Sequence, residues 1–144
     1  MKRLALLAVI AMFVLIGCGG GGGDSSSPSP IPPTVDVTGT WDASITATGG
    51  TQFPVGSHGT AVFTMVQSGS TASGTWVLSG GGGGQVSGSV SADDLDLTIA
   101  QTNPCVGTFH AIGMVNSASN LMSGTYAGAD CGGTVQASFT STKR

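Results

Sequence analysis

From Val37 onward, hydrophobic and polar positions alternate with a period of two. Val37, Gly39, Trp41, Ala43, Ile45 and Ala47 fall on one side of the run, and Thr38, Thr40, Asp42, Ser44, Thr46 and Thr48 on the other. Successive side chains of an extended strand point to opposite faces, so this is the pattern of a sheet with one face buried. The same grammar recurs between Gly, Asn, Asp and Ser clusters. It predicts strands over 37–48, 59–67, 71–79, 85–92, 94–101, 106–115, 120–128 and 132–142. Asp93-Asp94 and Ser117-Ala118-Ser119 read as tight turns, and Gly80–Gly84 as a long, flexible hairpin loop. No stretch after residue 18 carries a helical stripe.

The predicted class is therefore all-β. Short strands joined by short loops are antiparallel neighbours, and their apolar faces must be covered by closing the sheet or stacking it. Closure into an eight-stranded antiparallel up-and-down β-barrel also removes both edges, so it is favoured over the alternative, a β-sandwich. Trp41, Phe63, Trp76, Leu97, Tyr126 and Phe139 are the expected interior residues. An eight-stranded barrel has room either for packed side chains or for one small ligand. Packed side chains are the expected outcome, with a ligand cavity lined by Trp41, Phe63, Trp76 and Tyr126 as the alternative. Gly-Thr-aromatic recurs at Gly39-Thr40-Trp41, Gly74-Thr75-Trp76 and Gly124-Thr125-Tyr126. An inward glycine beside a ring lets a strand bend and leaves the ring space.

Upstream of the strands the pattern changes twice. Met1-Lys2-Arg3 is basic, and Leu4–Ile16 is an uncharged apolar run. That is the build of a secretory signal, and the run is too short for a permanent membrane span. It ends in Leu15-Ile16-Gly17-Cys18, which resembles the bacterial lipobox. The resemblance implies cleavage after Gly17 and a lipidated Cys18, diacylated on its thiol, as the mature N-terminus. Two or three acyl chains give a stable anchor where one does not. Gly19 and Gly20, with no Asp just after the Cys, imply the outer membrane. The Gly/Ser/Pro stretch that follows has nothing to build a core from and reads as a tether. The expected organisation is a signal peptide over 1–17, lipidated Cys and tether over 18–34, and the β-barrel over 35–144.

Charge narrows the function. There is no Glu, and counting from Cys18 there are seven Asp against Lys143 and Arg144, a side-chain net of −5. A domain with no basic residue before its last two cannot neutralise phosphates, so nucleic acid and nucleotides are not expected partners. Few side chains can do acid–base work, and no Gly-x-Ser-x-Gly elbow occurs, so the domain reads as non-catalytic. His58 and His110 are expected to be structural. Asp93, Asp94 and Asp96 lack the spacing of a calcium loop and read as an ordinary turn. No metal or cofactor is expected.

Cys105 opens the sixth predicted strand and Cys131 follows the seventh, which puts both at the same end of an antiparallel pair. Disulfides are permitted in the envelope beyond the inner membrane, so a bond between them is expected.

Gly39-Thr40-Trp41 resembles the opening Gly-x-Trp of lipocalin and avidin barrels, and Met122-Ser123-Gly124-Thr125-Tyr126 is similar to the Thr-Gly-Thr-Tyr strands of avidins. The resemblance spans a few residues per strand. It implies a small barrel, a hint of small-ligand binding, and a late Arg packed over the Trp, for which Arg144 is the candidate. Two Trp are fewer aromatics than an avidin-type biotin site needs. Small secreted protease inhibitors with one disulfide are similar in outline. Two functions follow: a membrane-anchored barrel binding an apolar or uncharged small molecule, or a module that engages a protein partner.

Overall fold

The computed structural model describes Ser29 and residues 31–144. Eight strands follow one another: β1 Gly39–Gly50, β2 His58–Ser68, β3 Thr71–Leu78, β4 Gly83–Ser91, β5 Asp94–Asn103, β6 Gly107–Val115, β7 Leu121–Asp130 and β8 Gly133–Lys143. Each pairs antiparallel with the next, and β8 pairs with β1, so the sheet is a closed barrel in strict chain order. The apolar face of the alternation points inward. Along β5, Leu95, Leu97, Ile99 and Gln101 are buried, while Asp94, Asp96 and Thr98 face out. The outer wall is largely Ser and Thr. A transmembrane barrel has the reverse arrangement, with an apolar band outside.

Two expectations are corrected locally. Gly83 and Gly84 are not loop but the start of β4, and the loop is residues 79–82. The turn between β4 and β5 is Ala92-Asp93 rather than Asp93-Asp94. Gly84 pairs with Trp76 on one side and Gln101 on the other. A Cβ there would overlap the Ala100 carbonyl oxygen. The strands approach too closely at this inward position for any side chain. The bare backbone also lets the Trp76 indole cross β4, and its Nε1 donates to the Ala100 carbonyl at 3.3 Å. Gly124 plays the same part in β7, where a Cβ would overlap the Ile112 carbonyl oxygen.

The two ends of the barrel differ. At the end holding the 69–70, 92–93 and 116–120 connections, residues 34–38 fold across the opening. Val35 and Val37 are buried against Trp41, which is itself fully buried. This entry segment lies outside the strands, so its buried backbone needs other partners. Gln67 supplies them: its Oε1 accepts from Val37 N at 2.9 Å, and its Nε2 donates to the carbonyls of Val35 and Gly69. The Trp41 indole N–H donates to the Val37 carbonyl at 2.9 Å.

The cation over Trp41 is Lys143, not Arg144. The Lys143 ammonium lies 5.4 Å from the ring centroid and donates to the Asp36 carbonyl. Arg144 is one residue further along and therefore turns outward. It holds Asp42 through a two-pronged ion pair at 2.7 and 2.8 Å on the barrel's surface. That guanidinium holds the Asp42 carboxyl below the usual carboxylate range. Asp36 is lowered as well, chiefly by hydrogen bonds from the Thr38 backbone and hydroxyl, with a smaller pull from Lys143. A carboxyl lowered in the folded state stabilises above its unfolded pKa, and that contribution is lost as the pH falls through the folded value. In Arg144→Ala, side-chain NMR titration is expected to return Asp42 to the ordinary carboxylate range and leave Asp36 lowered.

Candidate functional site

The other half of the barrel is not filled. A cavity of about 260 Å³ opens toward the end that carries the 51–57, 79–82, 104–106 and 131–132 connections. Met65, Met122 and Ser141 line it, and all three are buried. Its walls include Phe63 and Trp76, stacked with centroids 6.3 Å apart, and Phe109 and Tyr126, edge to face at 5.9 Å. Ile45, Leu97, Ile99 and Phe139 complete the apolar wall. Burial raises the Tyr126 phenol above its ordinary value, so it stays neutral and can both donate and accept.

The polar groups gather near Asp130. The Asp130 carboxylate accepts from Gln101 Nε2 at 3.0 Å, from Gln52 Nε2 at 3.3 Å, and from the Gly132 backbone N–H at 2.7 Å. A carboxylate only accepts, so both amides turn their NH₂ groups toward it. Their carbonyl oxygens are then the opposite ends, and Gln52 Oε1 is buried without a donor. Cys105 and Cys131 are joined in a disulfide across 5.9 Å between Cα atoms, and both line the cavity beside Pro104 and Gly132. Phe53, half exposed, also contributes to the lining.

The structure brings together Phe63, Trp76 and Tyr126 around this space, with Leu97 and Phe139. It sets Trp41 apart: that residue belongs to the packed half of the barrel, not to the cavity wall. Expected filling thus holds for one half of the interior only. Cys18 and the signal segment lie outside the described residues.

His110 is hydrogen-bonded to Asp96 at 2.7 Å, but both side chains are about 60% exposed on the convex outer wall. His58 bonds Thr46, also at the surface. Neither histidine lines the cavity. Among the described residues, no three His, Cys, Asp or Glu side chains gather as a metal site.

The residues missed from sequence are Gln52, Gln101, Asp130 and several wall positions, among them Phe109, Ile99 and Met122. Parity places Gln101 inward with Leu97 and Ile99, and Asp130 inward with Tyr126 and Gly128, so a signal existed. Phe109 is harder, because β6 also carries apolar Ile112 and Met114 on its outer face. Gln52 sits in a loop, where no period applies.

Comparison of the chain with protein-family models, curated proteins and solved structures returned no match.

Proposed function

We propose that this is a lipid-anchored envelope protein, held by Cys18 at the outer membrane, whose non-catalytic barrel binds one small and mainly apolar molecule. The observation that carries the reading is the half-filled interior: aromatic and aliphatic walls around a cavity with polar groups concentrated near Asp130. An apolar cavity of about 150 Å³ holds benzene, so this one suits a ligand of roughly ten non-hydrogen atoms. A cleft of mostly apolar lining with few convergent polar groups is the usual form of a small-molecule site.

On the tether reading, the entry of the chain sets which end of the barrel faces the membrane. Chain entry is latched at the closed end by Val35, Val37 and Gln67. On a tether leading from Cys18, the cavity would then open away from the membrane and toward the aqueous phase. The absence of Lys, Arg and His from the cavity lining disfavours an anionic ligand and gives no grip on nucleic acid.

A second reading rests on Phe53, Val55 and Val106, apolar residues exposed on loops at the open end. In it those loops engage a protein partner.

Native mass spectrometry of the protein gently extracted from its membrane separates the two. A stoichiometric small adduct lost on denaturation is expected. A bare mass, carrying only the lipid and the disulfide, would favour the protein partner. Anchoring is tested separately. Cys18→Ala is expected to move the protein from the membrane fraction to the soluble fraction and to abolish labelling by radioactive palmitate. Retention of the label would rule Cys18 out as its site.

A further inference from the structure

Resting on the small-molecule reading, we infer that the cavity selects ligands by their polar end: an apolar body that terminates in a hydrogen-bond donor, an alcohol or an amine, in preference to a carboxylate. The selecting group is Asp130, positioned by Gln52 and Gln101, with no basic side chain in the lining.

The argument begins at Asp130. Its carboxylate already collects three N–H groups, from Gln101, Gln52 and Gly132. Both glutamines are thereby oriented, because turning an amide oxygen toward a carboxylate oxygen would set acceptor against acceptor. The free ends of the two amides are acceptors. One of them, Gln52 Oε1, is buried with no hydrogen-bond partner, which costs free energy. Gln52 belongs to the 51–57 connection, which also carries Phe53 to the cavity. A ligand O–H or N–H at this end of the cavity would donate to the Asp130 carboxylate, which lines it.

Charge sharpens the choice. A carboxylate head would meet the Asp130 carboxylate, with no cation among the lining residues to offset it. Lys143 and Arg144 are at the opposite end of the barrel, engaged with Asp36 and Asp42. Anionic fatty-acid-like molecules therefore fit the walls but not the polar cluster. A protonated amine gains where the carboxylate loses, since like charges repel and opposite charges attract most strongly where water is excluded.

The test is calorimetric titration of the full-length protein with four compounds sharing one body: butylbenzene, phenylbutanol, phenylbutylamine and phenylbutyrate. At neutral pH the amine and the alcohol are each expected to bind at least ten times more tightly than phenylbutyrate. In Asp130→Asn the amine should lose most of that advantage over phenylbutyrate, while butylbenzene binding, which also reports an intact fold, stays within a few-fold. Phenylbutyrate binding as tightly as the amine or alcohol would overturn the inference and leave the small-molecule reading standing, provided butylbenzene binds. If no member of the series binds, both fall together.

Discussion

Trp41→Ala is expected to lower the stability of the barrel by about 3–5 kcal/mol, the range for deleting a large aromatic from a packed core. Trp41 is fully buried, and the packed half of the barrel is built around it. Its removal leaves a hole among Val35, Val37 and neighbouring strands, and deprives the Val37 carbonyl of its indole donor. Chemical denaturation measures the loss, and Trp41→Phe divides it. The phenyl ring keeps much of the packing but not the N–H, so it is expected to cost roughly 1–3 kcal/mol, the penalty of an unsatisfied buried carbonyl. Trp41 does not line the cavity, so a Trp41→Phe barrel should still bind the apolar probe. A Trp41→Ala protein as stable as the parent would contradict the assignment of this half as the structural core.

Replacing both Cys105 and Cys131 by Ser is the second large effect. The bond closes a loop with a sequence separation of 26 residues. Constraining a loop of that length in the unfolded chain is worth about 3–4 kcal/mol in the chain-entropy model. For a domain of this size the melting temperature is then expected to fall by roughly 15–25 °C. The loss should be matched by adding reductant to the parent protein, and reductant should leave the double variant unchanged. A difference of only a degree or two would mean that the hydrogen bonds and packing at the open end hold the β5–β6 and β7–β8 connections without the cross-link. Because Cys105 and Cys131 also line the cavity, the variant is expected to bind the apolar probe more weakly.

The alternation that began at Val37 carried most of the architecture. All eight strands occur where the period of two puts them, with ends shifted by at most a few residues. The disulfide follows from chain order, given a compartment that permits disulfides, since an up-and-down barrel leaves little freedom in which loops share an end. Gly83 and Gly84 do not show as strand in the sequence because a glycine run has no side chains to carry a period. Their place in β4 is set by neighbouring strands approaching too closely for a Cβ, a tertiary effect. The exchange of Lys143 for Arg144 over Trp41 has the same origin: a strand's alternation puts neighbours on opposite faces, and only the register of β8 on β1 says which faces in.

The site was legible in part. Phe63, Trp76, Leu97, Tyr126 and Phe139 were readable as interior, but interior does not distinguish packed from lining. That distinction depends on how the entry segment at Val35 and Val37 fills one end and leaves the other open, which no local pattern encodes. The polar cluster escaped for a different reason. Gln52 is in a connection and Asp130 at a strand's end, so neither interrupts an apolar run in a way that draws the eye.

The most direct test of the central claim uses the three methionines of the barrel. Met65 and Met122 line the cavity, while Met114 is exposed on the outer wall of β6. With methyl-labelled methionine, titration by butylbenzene is followed in the methyl NMR spectrum. Saturable shifts at Met65 and Met122 with Met114 unmoved are the expected result. Movement of Met114 alone, or of none of the three, would contradict the cavity as a binding site.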